Sequence, residues 1–174
     1  MISETELAEY FKNFTSSAFR LETLDTYRVD DEAEYFERFM AGGEFPEDWH
    51  DNPWVRSITK SGRKLSRVHV LRTPLSDYLR FQLGWGYPGN VHDGEDIRIL
   101  NLSEVQVSGL PDHDFWLFDD AYVLRMYYSD DGTFEGAQQL SPDRTGEYIK
   151  YRDLALSAAT SYTDFWSRCQ KRVE

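Results

Sequence analysis

DFWLFDD, residues 114–120, is the most informative segment of this sequence. Its run of apolar residues predicts a strand, and the aspartate pair at its end predicts a tight turn. A second strand pattern follows at 121–128 and a third at 134–138, with the turn sequence DDG at 130–132 between them. The sequence therefore predicts an antiparallel meander of three strands in the second half of the chain.

Outward from this meander, the sequence changes repeatedly between helix and strand patterns. Further strands are predicted at 18–24, 64–72 and 96–102. Helices are predicted from residue 4 to about 13, from 30 or 31 to 42, from 53 to 62, from 73 onward, and from 141 through 165. No linker or repeat divides residues 1–174. We therefore predict a single domain of the α+β class, with a twisted, mostly antiparallel sheet flanked by about five helices.

The composition is that of a globular protein. Of 174 residues, 40% are hydrophobic and 16% are aromatic, so we expect a core rich in aromatic side chains. No apolar run reaches the roughly 18 residues of a membrane span, and the first residues lack a signal-peptide pattern, which predicts a cytoplasmic protein with no membrane contact. The one cysteine, Cys169, permits no internal disulfide. Because nothing periodic indicates a coiled coil, we expect a monomer or weak dimer.

Charge is unevenly distributed along the chain. The net charge of −12 argues against direct binding of nucleic acid, because phosphate contacts depend on Lys and Arg. Residues 56–80, however, contain seven basic residues and one acidic residue, so this segment carries +6 and the remainder carries −18. The basic segment is either an anion-binding face or a set of partners for acidic neighbours in the same domain, and we favour the second interpretation.

Residues 84–89, GWGYPG, have the spelling of a dinucleotide-binding loop. A true fingerprint follows a strand and opens a helix whose first N–H groups hold the pyrophosphate. Here a helix pattern precedes the glycines, and Pro88 removes a backbone donor. We therefore predict a turn that ends the preceding helix, and no cofactor.

Metal and nucleophile signatures are also incomplete. The four histidines form no i,i+4 pair and have no cysteine partner for zinc. Several carboxylates near His92 and His113 suit magnesium or calcium, but such neighbours arise by chance among 31 acidic residues, so we predict no metal site. A Gly-x-Ser-x-Gly nucleophile elbow is missing as well, and no catalytic residue is assigned.

Four segments carry a resemblance to a known family. They are DFWLFDD at 114–120, PLSDYLRF at 74–81, GEDIR at 94–98 and RLETLD at 20–25. Over most of its length the chain resembles an actinobacterial family of uncharacterised proteins, a domain of unknown function often encoded beside helix-turn-helix regulators of the XRE type. The resemblance implies a setting and a fold without implying a reaction.

Our first hypothesis is a non-enzymatic cytosolic regulatory or protein-interaction domain. No complete catalytic motif is present, and an acidic surface complements a basic partner such as a DNA-binding regulator. The association with a helix-turn-helix regulator is implied by the resemblance. The aromatic residues expected to anchor the partner are Phe11, Trp54, Tyr162 and Trp166.

A second, weaker resemblance is to half of the phospholipase D fold. That fold combines a twisted strand, a helix and a hairpin that ends in Asp, and its motif is His-x-Lys followed by Asp. His113 and Asp120 stand at the matching positions, whereas Phe115 occupies the place of the lysine. An apolar ring cannot stabilise a phosphoryl oxyanion, so the resemblance implies a degenerate site.

The alternative hypothesis is a sensor of a phosphate-containing ligand or nucleotide, or a degenerate phosphodiesterase-like enzyme. Arginines and carboxylates along one sheet face would then form an anion pocket, with aromatic rings as stacking surfaces. The same groups could instead serve only to neutralise one another in a partly buried network. The candidate pocket residues are Arg67, His69, Arg72, Tyr78, Arg80, Arg98, His113, Trp116 and Asp120.

Overall fold

A mixed sheet of seven strands forms the centre of the computed structural model, which describes residues 1–172. The strands are β1 (Ser17–Glu22), β2 (Lys64–Leu71), β3 (Asp96–Asn101), β4 (Phe115–Phe118), β5 (Tyr122–Tyr128), β6 (Phe134–Gln139) and β7 (Thr160–Ser161). Their order is β6-β5-β4-β1-β2-β3-β7. β2 lies parallel to β1 and β3, while the other neighbouring strands are antiparallel. The predicted α+β class and mostly antiparallel sheet are confirmed.

The predicted meander is formed by β4, β5 and β6. In the turn between β4 and β5, the Ala121 N–H donates to the Phe118 carbonyl, and Asp119 and Asp120 both have positive φ, 54° and 53°, as the two central residues of a type I′ turn require. The Asp119 carboxylate accepts hydrogen bonds from the backbone N–H groups of Thr15, Ser16 and Ser17, at 2.8, 2.7 and 3.0 Å. Partial burial raises the pKa of Asp119, but these donors outweigh it and lower the pKa to about 2. The turn therefore ties β4 to the start of β1.

Helices cover both faces of the sheet. They are α1 (Glu4–Asn13), α2 (Ala33–Met40), α3 (Pro53–Lys60), α4 (Asp77–Phe81), α5 (Tyr87–His92), α6 (Thr145–Ala158) and α7 (Tyr162–Lys171). The caps read from the sequence are present: Ser3 and Glu6 form a capping box on α1, and the Asn52 side chain accepts from Val55 N–H at the start of α3. Of these helices, none is both long enough and apolar enough to cross a bilayer.

The segment 73–92 differs from the prediction in two ways. The predicted helix starts later, at Asp77, because the Ser76 hydroxyl caps it by accepting from the Leu79 N–H. The predicted turn at 84–89 is wrong: the chain continues from α4 through a π-helical turn, Gln82–Gly86, directly into α5. Pro88 lies in the first turn of α5, a position that proline commonly occupies.

The single long helix predicted through 141–165 is divided. A 3₁₀ turn at Pro142–Arg144 precedes α6, and Ala159 leaves helical geometry with φ −87° and ψ 152°. The chain then forms β7 against β3, and the Ser161 hydroxyl caps α7 by accepting from Asp164 N–H at 3.2 Å. Hydrogen bonding to the sheet edge and a new cap therefore override the helical periodicity.

The two faces of the central strands have different chemistry. Phe19 and Leu21 of β1 pack with Val68 of β2 and with Tyr148 and Ala155 of α6 in an apolar cluster. The alternate residues of the same strands point to the opposite face, which lies beneath the segments from α2 to α5. Ala18, Leu65 and Leu71 at the strand ends are apolar, whereas the residues between them on this face are charged or polar, although most are buried: Arg20, Glu22, Arg67 and His69. The helices thus cover a polar sheet face.

Candidate ligand-binding site

A cavity of about 510 Å³ lies between this polar sheet face and the helices above it. Arg20 and Glu22 of β1 and Arg67 and His69 of β2 form its floor. Strand pairing explains their grouping, because Arg20 lies opposite Arg67 and Glu22 lies opposite His69 in the parallel register. The walls are mostly aromatic: Tyr27, Trp49, Tyr78, Trp85, Tyr87, Tyr128 and Phe134.

Glu22 lies at the centre of the floor. Its carboxylate accepts from Arg67 Nη1 and from the Tyr87 hydroxyl, each at 2.9 Å, and Arg20 Nε lies 3.7 Å away. Burial raises the pKa of Glu22, but the positive charges of Arg67, His69 and Arg20 outweigh it and lower the pKa to about 2. Glu22 is therefore ionised at neutral pH.

Arg67 bridges two carboxylates and retains one free donor group. Its Nη1 donates to Glu22 and its Nε donates to Glu95 Oε1, both at 2.9 Å. Glu95 is fully buried and also accepts from Asn90 Nδ2 at 2.7 Å. Within residues 1–172, Arg67 Nη2 has no hydrogen-bond partner, and 18% of the side chain is accessible from the cavity side. Arg67 can therefore donate to a bound molecule without losing its ion pairs.

Arg20 is held by Asp114, the residue just before β4. Arg20 Nη2 donates to Asp114 Oδ2 at 2.8 Å, and the same carboxylate accepts from the Tyr27 hydroxyl and from the backbone N–H of Thr23. The guanidinium carbon lies 5.5 Å from the centre of the Trp116 ring, a cation–π contact. Asp114 and Trp116 therefore fix the charge of Arg20 at one side of the floor.

His69 takes part in a chain of hydrogen bonds with Tyr87 and Glu22. Its Nε2 lies 2.9 Å from the carbonyl oxygen of Leu24, which can only accept, so Nε2 donates. Its Nδ1 lies 2.7 Å from the Tyr87 oxygen, and the one proton of Tyr87 is donated to the ionised Glu22. His69 therefore links the Leu24 carbonyl to the Tyr87–Glu22 pair, and its Nδ1 lies 3.4 Å from Glu22 Oε2.

The outer part of the cavity contains carboxylates that have no cationic partner. Glu32 accepts from the Tyr78 hydroxyl at 3.0 Å and from Gln82 Nε2 at 2.9 Å, both through Oε2. Within the described residues, Oε1 has no hydrogen-bond partner, and burial raises the pKa of Glu32. Asp48 is exposed at the rim, where its carboxylate pairs with no described side chain.

A close backbone approach positions one wall. A Cβ on Gly89 of α5 would lie 2.6 Å from the carbonyl oxygen of Trp49, so only glycine allows α5 to reach the loop that carries Trp49. Asn52 and Asn90 join the same two segments by a side-chain hydrogen bond of 2.7 Å. These contacts hold the indole of Trp49 over the cavity.

The sequence-predicted site residues do not form one group. Arg67, His69 and Tyr78 line the cavity, and Trp116 contacts Arg20 beneath its floor. The other five lie outside it. Arg72 is exposed, Arg80 pairs with Asp77, Arg98 with Asp96, His113 with Asp112 and Tyr148, and Asp120 with Arg152.

The favoured interpretation of the basic segment 56–80, pairing with acidic residues of the same domain, is confirmed for Arg56, Arg67 and Arg80.

The phospholipase D-like pair is separated. His113 precedes β4 and Asp120 follows it, so the two lie at opposite ends of a strand, roughly 20 Å apart along the chain at about 3.3 Å per residue. His113 Nε2 contacts the Tyr148 hydroxyl at 2.9 Å, on the side of α6. Neither residue lines the cavity.

Sequence reasoning left Arg20 and Glu32 out of the candidate pocket. The signal for Arg20 was the alternation of Phe19 and Leu21 with Arg20 and Glu22, which places two charges on one face of a strand. Glu32 had no such signal, because it enters the cavity from a 3₁₀ turn before α2.

In residues 1–172, no group of three or more His, Cys, Asp or Glu side chains is arranged to hold a metal ion.

Comparison with known proteins identifies the family of this chain. The chain matches the family described as Domain of unknown function (DUF6879) over residues 5–167, and it belongs to this family. A search of curated proteins gave no match. The predicted membership in a family of unknown function is thus confirmed, whereas actinobacterial origin and neighbouring regulators stay predictions.

Proposed function

We propose that this domain is a non-enzymatic regulatory module that binds a small organic molecule in the cavity on the sheet face. The observation that carries the proposal is the cavity itself: about 510 Å³, with aromatic walls, a fixed polar floor and unused hydrogen-bonding atoms on Arg67 and Glu32. Binding pockets for small molecules commonly combine apolar and aromatic walls with a few positioned polar groups.

The protonation states of three groups on the floor and walls favour binding over acid–base catalysis. Glu22 has a pKa of about 2, and burial raises the pKa values of Tyr27 and Tyr87 well above the usual tyrosine value. A general acid or base works best with a pKa near the operating pH. At neutral pH Glu22 stays ionised and the two tyrosines stay protonated, so these groups suit recognition.

The test is recovery of the intact protein under gentle conditions, followed by native and denaturing mass spectrometry. We expect a bound small-molecule mass that is lost on denaturation. Val29 is 43% exposed and lines the cavity, so a tryptophan in its place (Val29→Trp) would narrow the cavity. Val105 is 40% exposed and does not line the cavity, so Val105→Trp is the matched control. The bound mass should disappear in V29W and persist in V105W. Equal retention in both variants would contradict the proposal.

We also propose that the module acts through a protein partner, and that the partner is a basic DNA-binding regulator. The supporting observation is Trp54, which is 46% exposed and packs edge-on against Phe11 with ring centres 5.6 Å apart. Of the other expected anchors, Tyr162 is buried, and Phe11 and Trp166 are partly buried. An exposed indole on a chain of net charge −12 suits a basic partner.

Co-purification from the native host with the Trp54→Ala variant tests this second proposal. The expected result is loss of a stoichiometric partner while the variant stays folded, because Trp54 lies at the surface of α3. Met40→Ala is the control, since Met40 is 50% exposed on a different helix. A partner retained by W54A would overturn the assignment of Trp54.

A further inference from the structure

We propose that the ligand of this cavity carries a positively charged group, an ammonium or guanidinium, on a small organic body. The inference rests on the proposed binding function and concerns the class of ligand. It follows from the charges of the cavity, which differ from those expected of an anion pocket.

Carboxylates neutralise both arginines on the floor of the cavity. Arg20 contacts Glu22 and Asp114, and Arg67 contacts Glu22 and Glu95. Two guanidinium groups are thus paired with three carboxylates. Because each arginine is already paired, the floor presents no excess positive charge to a phosphate or carboxylate.

The outer part of the cavity is negative. Asp51, at the edge, shares Arg56 with Asp93, so two carboxylates there have one guanidinium. Glu32 and Asp48 have no cationic partner within residues 1–172. Arg28, which also lines the cavity, pairs with Asp131 at 2.6 Å. The uncompensated charge around the cavity is therefore negative, and a cation is attracted to it while an anion is repelled.

The aromatic walls suit the same ligand. Trp49, Tyr78 and Trp85 line the cavity together with Glu32 and Asp48. Indole and phenol faces attract ammonium and guanidinium groups through the ring quadrupole, and carboxylates beside them add charge pairing. Arg67 Nη2 remains as a donor on the floor, suited to an oxygen at the other end of the ligand. The geometry thus places the cationic group towards Glu32 and Asp48.

Two matched series of probes test the sign of the charge on the full chain. The first has an indole body: tryptamine, indole-3-ethanol and indole-3-acetate. The second has a four-carbon body: 1,4-diaminobutane, butane-1,4-diol and succinate. Thermal shift and calorimetry should show stabilisation and binding by the amines, with weaker or no binding by the alcohols and acids. A shift by an acid or alcohol equal to that of its amine would overturn the inference.

Charge-removing variants locate the effect. Glu32→Gln should weaken amine binding by about tenfold, since loss of one charge pair at a partly buried site is worth on the order of tenfold or more. Asp48→Asn should weaken it by a smaller factor, because Asp48 is exposed at the rim, where water screens the charge pair. Glu37→Gln is the matched control, because Glu37 is exposed on α2 and does not line the cavity. Unchanged amine affinity in both E32Q and D48N would overturn the inference.

The proposed binding function and the proposed positive charge of the ligand can fail independently of each other. If no probe of either series binds, the cation inference fails, while the proposed binding function still stands on a bound mass that V29W removes. If V29W and V105W retain the same mass, or neither the wild type nor the control holds any, the binding function fails independently of ligand charge.

Discussion

Replacing Arg67 by Met removes a cation that bridges two buried carboxylates. Arg67 contacts Glu22 and Glu95, whose side chains are 10% and 0% exposed, at 2.9 Å each. Glu22 keeps Arg20 and the Tyr87 hydroxyl, but within residues 1–172 the carboxylate of Glu95 keeps only the Asn90 amide. Removing one partner of a buried ion pair costs about 3–5 kcal/mol. We therefore expect R67M to lose about 3–5 kcal/mol of unfolding free energy.

Urea and thermal unfolding followed by circular dichroism measure this loss. For a domain of this size, each kcal/mol lowers Tm by about 2–4 °C, so R67M should lose roughly 10 °C. Arg98→Met is the matched control: Arg98 lies on the neighbouring strand β3, and its pair with Asp96 is exposed, 38% and 49%. A surface pair of this kind contributes at most about 1 kcal/mol.

The pH dependence separates lost charge pairing from lost packing. The pKa of Glu22 is lowered from 4.5 to about 2 in the folded state, so its stabilisation is full above pH 4.5 and is lost as pH falls towards 2. The difference between wild type and R67M should therefore shrink between pH 7 and pH 3. A loss below about 1 kcal/mol, or one independent of pH over this range, would contradict the role of Arg67 as the charge partner of the two buried carboxylates.

Other substitutions test the elements that frame the site. Asp119→Ala removes an acceptor of three backbone N–H groups and should lower the free energy of unfolding in urea by about 2–3 kcal/mol. Asp130→Ala, in the exposed turn between β5 and β6, is the control and should cost little. Equal losses in the two variants would contradict the assigned role of Asp119. Gly89→Ala puts a Cβ 2.6 Å from the Trp49 carbonyl oxygen, so we expect a lower Tm and about 1–3 kcal/mol of destabilisation. Gly146→Ala on α6 is the control, because a Cβ there has no neighbour within 4 Å, and it should raise the free energy of unfolding by about 0.5–1 kcal/mol. A G89A variant as stable as G146A would contradict the close approach of α5 to Trp49.

Local chemistry explains which parts of the fold could be predicted from the sequence. The meander and the capped helices α1 and α3 depend on turn residues, caps and periodicity within a few residues, all of which are visible in the sequence. The break at Ala159 depends on hydrogen bonding of β7 to β3, some 60 residues earlier in the chain at Arg98–Ile99. No window of local sequence contains that partner, so the helical pattern through 141–165 was misleading.

The same distinction applies to the site. The sequence identified Arg67 and His69 as polar residues on one face of a strand, which is a period-two pattern. It could not show that α2, α4 and α5 would cover this face, because covering is a tertiary contact. Residue type alone therefore did not separate the paired surface arginines Arg80 and Arg98 from the buried Arg67.

The cost of the polar floor is itself an argument for a binding role. On the opposite face of the same strands, Phe19 and Leu21 pack against α6 in an apolar cluster. Burying two arginines together with their carboxylate partners requires desolvation that well-packed apolar side chains would avoid, often with equal or greater stability. A face selected for stability alone would repeat the apolar packing. The polar floor instead occurs where the helices leave about 510 Å³ open, and Arg67, its bridging residue, keeps an unused donor there. Fixed charges beside an open volume are what recognition of a polar ligand requires.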